Sequence, residues 1–529
     1  MTTVRELLAR RAGDDRPGLL FEDRRWSWRE HVADAAALAT GLGTRCGADR
    51  PRHVGALLDN VPEMTQLISA AGLGGFTLVG LNTTRRGDGL AGDVRRSDCQ
   101  VVVTEPAHRH LLDDLDLGDV TVLDVSSPEW RQLVSAHQAA SWPETEPAAD
   151  DLMMLIFTSG TSGDPKAVRI THEKVAFPGE MLADRFGLGP DDVCYLSMPL
   201  FHSNAVMAGY APALAAGATI ALARRFSASA FLPDVRRYRA TYANYVGKPL
   251  TYVLATPEQP DDADNPLRVV FGNEAADRDI EAFGRRFGCV VVDSYSSTEN
   301  AVIVQRTPDM PPGALGRPLP GVEVLDPGTG AEVPVARRDD QGRLLNGDEA
   351  IGELVNTSGA GFFAGYYNDP DADAERMRGG MYWSGDLAFR DADGFVYFAG
   401  RSAEWLRVDG ENLAVTPIEQ ILHRHPDVLQ AAVYAVPDDS GVGDQVMAAL
   451  VLRDGREFDA AGFEAFLGAQ SDLGAKSRPR HVRVASRLPQ TPTNKVLKRA
   501  LKGDGVDGHP DPVWSRAERG TSYTLVSGG

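Results

Sequence analysis

Apolar positions recur at helix-like spacing near the start of the chain. Leu7, Leu8, Val32, Ala36 and Leu38 predict helix through residues 4 to 43. Short β-rich runs then alternate with helical ones: HVGALLD from residue 53, FTLVGLN from 76, CQVVVTE from 99 and VTVLDV from 120. Gly, Asp, Asn or Pro bounds each run, as expected where strands end. The alternation resumes at CYLSMPL (194–200), ATIALA (218–223), LRVVFGNE (267–274) and GCVVVDSYSS (288–297). Strands alternating with helices predict α/β layers built on mostly parallel sheet. After residue 310 the texture changes to Pro, Gly and short strands, in GVEVLDPGTG, GELVNTS and GFVYFAG. A compact α/β segment follows, with a helix from Pro417 to His425, a strand at AAVYAV and a helix from Phe458 to Leu467. The fold class is therefore α/β. A large N-terminal domain of several subdomains, residues 1–400, carries parallel sheets and a β-rich unit. A small α+β C-terminal domain, residues 401–529, follows a boundary at 400–404.

Composition narrows the function. The chain has 529 residues, room for about two to four domains. Lys and Arg number 54 against 74 Asp and Glu, a net charge of −20. Such a surface argues against a nucleic-acid partner. Cys46, Cys99, Cys194 and Cys289 are far apart and lack metal or redox spacing, so they read as buried thiols in a reducing compartment. Glu6 interrupts the apolar run a signal peptide would need. The uncharged stretch from Met207 to Ala223 is broken by Gly209, Pro212 and Gly217. It falls short of the roughly 20 residues of a membrane span and reads as a buried helix turning into a strand. The expectation is a soluble cytoplasmic protein; nothing in the sequence specifies an oligomeric state.

The first chemically loaded segment is LIFTSGTSGDPK, residues 155–166. An apolar run enters Thr158, Ser159, Gly160, Thr161, Ser162 and Gly163, and Lys166 follows. Glycines let backbone N–H groups turn toward an anion, hydroxyls add donors and lysine adds a point charge, a combination suited to polyphosphate. The spacing is not that of a Walker A loop. A flexible Ser/Gly linker is the alternative, but a linker need not follow an apolar strand or end in Pro-Lys. TSGTSGDPKAV resembles the phosphate loop of the adenylate-forming superfamily, which includes acyl-CoA synthetases, luciferases and peptide-synthetase adenylation domains. Further motifs follow in that family's order, so the resemblance covers nearly the whole chain.

The resemblance implies a role for each motif. In FHSN, His202 and Asn204 would border the carboxylate of an acid; a structural histidine is the alternative. Gly272, Asn273 and Glu274, after the strand LRVV, would line the adenine, where glycine lets a flat ring lie against backbone. In DSYSSTEN, Tyr295 would stack on adenine, Asp293 accept from its amino group, Thr298 bond the α-phosphate and Glu299 hold magnesium. A hard cation bound partly through phosphates needs only one or two carboxylates. Ser296 and Asn300 depart from the glycines common at these positions. Added polar atoms beside an acyl channel would cost free energy against a bare alkyl chain. They predict a smaller or more polar acid than a long-chain fatty acid.

Asp386, in YWSGDL, would bind the ribose diol through its two oxygens, with Arg401 contacting the ribose further on. RSAEWLRVDGENLAV resembles the interdomain hinge and following loop, with Ala403 and Glu404 where many members carry an acidic pair or lysine. The loop around Gly410 would line the tunnel for CoA. LRVDGENLAV, with LLDNVPE and LNTTRRG, most resembles the fatty-acyl-CoA ligase and very-long-chain acyl-CoA synthetase branch. LPQTPTNKV would end on the adenylation lysine, Lys495, with Asn494 replacing a common glycine.

The resemblance implies ATP, magnesium and CoA. The carboxylate attacks the α-phosphorus, the loop holds the departing pyrophosphate, and the C-terminal domain then rotates so that CoA attacks the acyl-adenylate. An adenylating enzyme for a small acid or nitrite with a non-CoA acceptor, as in diazotisation of an aryl amine, is the second reading. A non-catalytic nucleotide-binding protein is disfavoured by the retention of Lys166, Glu299, Asp386, Arg401 and Lys495. From Lys476 to Arg499 there are eight Lys and Arg and no acidic residue, a local positive face that could guide phosphates or simply be solvated.

Overall fold

The computed structural model describes residues 1–138, 141–158, 165–295, 297–307, 309–311, 313–338, 344–401, 405–408, 411–437, 444–470, 473–490, 496–517 and 520–527. The chain forms two compact units. The first comprises Met1–Ala301 with Phe362–Glu375; the second comprises Val302–Gly361 with Arg376–Gly529.

Among the described residues, the first unit carries two large sheets. In the seven-stranded sheet the order is Val290–Asp293, Val269–Asn273, Tyr242–Val246, Val193–Leu196, Thr219–Leu222, Pro17–Phe21 and Arg24–Ser27. All neighbours are parallel except the last pair. In the six-stranded sheet the order is Thr121–Asp124, Cys99–Thr104, His53–Leu57, Thr77–Gly80, Leu152–Thr158 and Lys166–Thr171, again antiparallel only at the last pair. His53–Leu57 and Cys99–Thr104 are buried at every position. Strands covered on both faces read as continuous apolar runs, which is why the sequence displays them clearly. Phe231, Phe283 and Phe287 pack edge-on and tilted against one another in the core flanking the seven-stranded sheet.

The expected helix over 4–43 is in fact two helices, Val4–Ala9 and Trp28–Gly43, separated by an antiparallel hairpin. The hairpin's first strand pairs parallel to Thr219–Leu222, so tertiary pairing overrides local periodicity. Gly18 belongs to this strand because a Cβ there would meet the Trp28 ring at 2.8 Å. The second helix starts on a capping box: Ser27 accepts from the Glu30 N–H while Glu30 accepts from the Ser27 N–H. The stretch from Met207 to Ala223 does run from helix into strand, through a π-helical turn at Ala205–Tyr210, the helix Ala211–Ala216 and the strand Thr219–Leu222. No described helix is long and apolar enough to cross a membrane. Cys46, Cys99 and Cys194 are buried thiols as expected, but Cys289 is only half-buried. Burial pushes Cys99 and Cys289 up to about 12, which leaves little thiolate at neutral pH.

In the second unit, Val322–Leu325, Gly352–Asn356, Met381–Arg390, Met377–Arg378 and Val396–Arg401 form one antiparallel sheet. Val428–Pro437, Asp444–Leu452, His481–Val484, Val513–Arg516 and Tyr523–Ser527 form another. The helices Val415–Leu422 and Ala460–Ala469 contribute Ile418, Ile421, Leu422, Phe463 and Leu467 to a common core with its strands.

Candidate functional site

Val193–Leu196, Tyr242–Val246, Val269–Asn273 and Val290–Asp293 are successive parallel neighbours, so their C-terminal ends share one edge of the sheet. The segments that carry His202, Glu274 and Tyr295 all leave from that edge. In open α/β sheets this is where ligands bind.

Hydrogen bonds join these segments. Asn204 Nδ2 donates to the Tyr245 carbonyl at 3.0 Å and to Asn273 Oδ1 at 3.2 Å, and its Oδ1 accepts from Asn244 Nδ2 at 2.7 Å. Asn273 Nδ2 donates to the Ser294 hydroxyl at 3.0 Å. Ser203 and Thr298 share a hydroxyl hydrogen bond of 2.8 Å. Asp293 Oδ2 accepts from the Tyr245 hydroxyl at 2.6 Å and from the Ala275 N–H at 2.9 Å. His202 stands beside Phe201, with ring centres 4.6 Å apart. Gly272 admits no side chain, since a Cβ would lie 2.2 Å from the Tyr245 carbonyl oxygen. That close approach is the backbone reason for glycine in this motif. Tyr295 is half-buried beside this network.

Glu274 and Asn300 have φ of +69° and +54°. Backbone in this region is uncommon outside glycine, and asparagine tolerates it better than most residues. Asparagine is thus compatible with a backbone that glycine commonly serves. The positive φ explains why a residue tolerant of this backbone stands here; it does not decide which acid the site takes.

The glycine-rich loop springs from the other sheet. Thr158 and Lys166 are register partners at the open end of the antiparallel pair Leu152–Thr158 and Lys166–Thr171. The loop's Ser159, Gly160, Thr161, Ser162 and Gly163 lie outside the described residues, as do Ser296, Ala403, Glu404, Gly410 and Lys495. Lys166 Nζ lies 2.9 Å from Glu375 Oε2 and 5.3 Å from the centre of the Tyr366 ring. Tyr366 is a residue that sequence reasoning missed. Its hydroxyl donates to Glu299 Oε1 at 2.9 Å, linking the loop's stem to the Glu299 segment. Backbone contacts hold it there: it bridges antiparallel to Val168, while the Arg169 N–H donates to Gly365 and the Tyr367 N–H to Ala167. The aromatic run FAGYYN was its one sequence signal.

In the second unit, Asp386 and Arg401 are register partners on Met381–Arg390 and Val396–Arg401. A hairpin thus brings together two residues that the sequence separates by a turn. Gly385 takes φ +74° and donates its N–H to Glu353 at 2.7 Å, while the Asp386 N–H donates to the Ser384 hydroxyl at 3.0 Å.

Among the described residues, Asp59, Glu105 and His108 form a cluster with metal-like spacing. Its groups are already matched: His108 Nε2 and Asp59 Oδ1 are 2.9 Å apart, and Arg224 lies 3.1 Å from Glu105. The guanidinium already supplies the positive charge there.

The family model described as AMP-binding enzyme matches residues 6–367, and that of the AMP-binding enzyme C-terminal domain matches 417–495. The chain is 55% identical over 513 residues to the medium/long-chain-fatty-acid–CoA ligase FadD17 of Mycobacterium marinum, covering 97% of this chain and 98% of the relative. It is 49% identical to the steroid-22-oyl-CoA synthetase of Rhodococcus jostii, covering 95% and 91%. Among solved structures, ATP-bound MatB from Rhodopseudomonas palustris is similar, with a TM-score of 0.81, 26% identity and coverage of 96% and 99%.

Proposed function

This chain belongs to the AMP-binding enzyme family, in its fatty-acyl-CoA ligase branch, and from that premise we propose that it activates a medium- or long-chain hydrophobic acid with ATP and transfers the acyl group to CoA. The observation that carries this reading is the linked site of the first unit. Lys166, Tyr366, Glu299, Thr298, Ser203, Asn204 and Asn273 form one connected arrangement from the end of the six-stranded sheet to the edge of the seven-stranded one.

A carboxylate oxygen attacks the α-phosphorus of ATP, the bond to the bridging oxygen breaks, and pyrophosphate leaves. The loop from Thr158 through Gly163 to Lys166 receives the pyrophosphate. Thr298 donates to the α-phosphate, and Lys495 neutralises the charge that develops there. Gly272, Asn273 and Glu274 line the adenine, Tyr295 stacks on it and Asp293 borders it. Asp386 and Arg401 hold the ribose. His202 and Asn204 flank the acid's carboxylate, with Ser296 and Asn300 beside the acyl group. The thiolate of CoA, guided past Gly410, then attacks the acyl carbonyl and AMP leaves. Residues 1–400 and 401–529 act as the adenylation domain and the domain that carries Lys495, and the enzyme works in the cytoplasm.

Oxygen donors suit magnesium here: the Glu299 carboxylate, held through one oxygen by Tyr366, would bind it together with the nucleotide's phosphates. Bound magnesium supplies charge neutralisation at the phosphates.

The assignment is tested by pyrophosphate release across fatty acids, a steroid side-chain acid, aryl and small acids, and nitrite. The expected result is the highest kcat/KM on medium- or long-chain fatty acids, with multiple turnover requiring CoA. Preference for a small acid or nitrite, or turnover with an amine in place of CoA, would overturn it.

A further inference from the structure

Asn60 stands in the segment LLDNVPE, which no step of the reaction uses. It follows the strand His53–Leu57, at the turn into the helix Pro62–Gly72. Asparagine is mostly exposed in folded proteins, but Asn60 is buried, at 2% exposure. Its side chain reaches segments of the seven-stranded sheet. Nδ2 donates to the Met198 carbonyl at 2.9 Å and to the Ala223 carbonyl at 3.1 Å, and Oδ1 accepts from the Leu200 N–H at 2.9 Å. Its own N–H donates to the Arg224 carbonyl at 3.3 Å. Met198 and Leu200 are buried and lie between the strand Val193–Leu196 and His202. The His202 N–H closes a turn on the Pro199 carbonyl at 3.0 Å, so one amide holds this turn on both sides of Pro199.

A second contact seats the same segment. Gly80 ends the strand Thr77–Gly80, beside His53–Leu57. A Cβ there would lie 3.1 Å from the Phe201 Cβ and carbonyl oxygen. Gly80 also pairs with Ile156, on the strand that leads into the glycine-rich loop. The segment bearing His202 is thus fastened to the sheet from which that loop springs. We propose that Asn60 is a positioning residue: by holding residues 198–201 against the six-stranded sheet, it sets where His202 meets the acid's carboxylate relative to the phosphate loop. This rests on the reading of His202 as a neighbour of that carboxylate. A carboxamide supplies donor and acceptor at once; a carboxylate of the same shape keeps the acceptor for Leu200 but turns an oxygen toward two carbonyls. Attack on the α-phosphorus depends steeply on the placement of the carboxylate. The adenine and ribose contacts lie elsewhere, so acid and nucleotide should respond differently.

The test compares Asn60→Asp, the milder Asn60→Ser and Gly80→Ala with Gln100→Ala. Gln100 is likewise buried, at the opposite end of the same sheet, and donates to the Gly47, Arg50 and Pro51 carbonyls. Gly80→Ala presses on Phe201 and leaves the Asn60 amide intact. In pyrophosphate release with a medium- or long-chain fatty acid, Asn60→Asp should raise the acid's KM about tenfold, with the calorimetric Kd for ATP changed by less than about twofold. Asn60→Ser and Gly80→Ala should raise the acid's KM several-fold with the same split. Gln100→Ala should melt lower and keep the wild-type KM, which separates placement from loss of stability. Wild-type acid KM in the Asn60 variants, acid and ATP affinities that weaken together, or an equal rise in Gln100→Ala would overturn the proposal. Asn60→Ser carries the test where Asn60→Asp does not fold. His202→Ala separates the two readings: it should raise the acid's KM. If it does not, the role of His202 fails, while the Asn60 variants still decide whether this turn sets acid affinity.

Discussion

Lys495→Ala should cut acyl-adenylate formation by about a hundredfold to a thousandfold while ATP still binds. As carboxylate and triphosphate meet, negative charge builds on the α-phosphate oxygens, and a preorganised cation there acts mainly in the transition state. Removing one such group lowers kcat by about a hundredfold to a thousandfold. Ground-state nucleotide contacts assigned to the loop stem, the adenine segment and Asp386 remain, so the Kd for ATP should change little. Lys495 itself lies outside the described residues; on either side of its segment Gln490 bridges Val496, and the Leu497 N–H donates to the Pro489 carbonyl at 2.8 Å. Pyrophosphate exchange measures the first half-reaction. Supplying a presynthesised acyl-adenylate with CoA measures the second, which should survive. Exchange at the wild-type rate would remove this lysine from the mechanism.

Asp386→Ala should weaken ATP binding by about a hundredfold or more. Hydrogen bonds to a charged group contribute about 1.5–3 kcal/mol each, and a carboxylate that holds both ribose hydroxyls loses two. Asp386 is buried, with its backbone fixed by the Ser384 hydroxyl and by the hairpin that sets it opposite Arg401. Asp386→Asn keeps the shape and one acceptor oxygen, so it should fall between wild type and alanine. Competition by 2′-deoxy-ATP provides the check. The wild type should discriminate against it, and Asp386→Ala should lose much of that discrimination. Equal discrimination in both proteins would refute the ribose assignment.

The parts of the fold that were legible in sequence are those where one physical cause dominates. Buried parallel strands such as His53–Leu57 and Cys99–Thr104 cannot be other than apolar. Glycines such as Gly272 mark places with no room for a side chain. The hairpin inside 4–43 was missed because its strands are short and its partner, Thr219–Leu222, lies about 200 residues away. Tyr242–Val246 was missed because Asn244 interrupts an apolar strand; the structure buries that asparagine and pairs it with Asn204. Tyr366 was missed because only the fold brings it to Glu299, 67 residues distant. The burial of Lys174 in the helix His172–Phe186 was invisible for a related reason, since what distinguishes a solvated lysine from an internal one is tertiary structure. Asn300 was noticed for its polarity; its left-handed backbone became visible only in the structure.

The most direct measurement is a stoichiometric product analysis with a medium- or long-chain fatty acid, ATP and magnesium, with and without CoA. Without CoA, a single enzyme-bound acyl-adenylate and one pyrophosphate per active site are expected. Adding CoA should give sustained turnover to equal amounts of acyl-CoA, AMP and pyrophosphate. Sustained AMP release in which no acyl-CoA thioester accumulates would contradict the acyl-CoA ligase assignment.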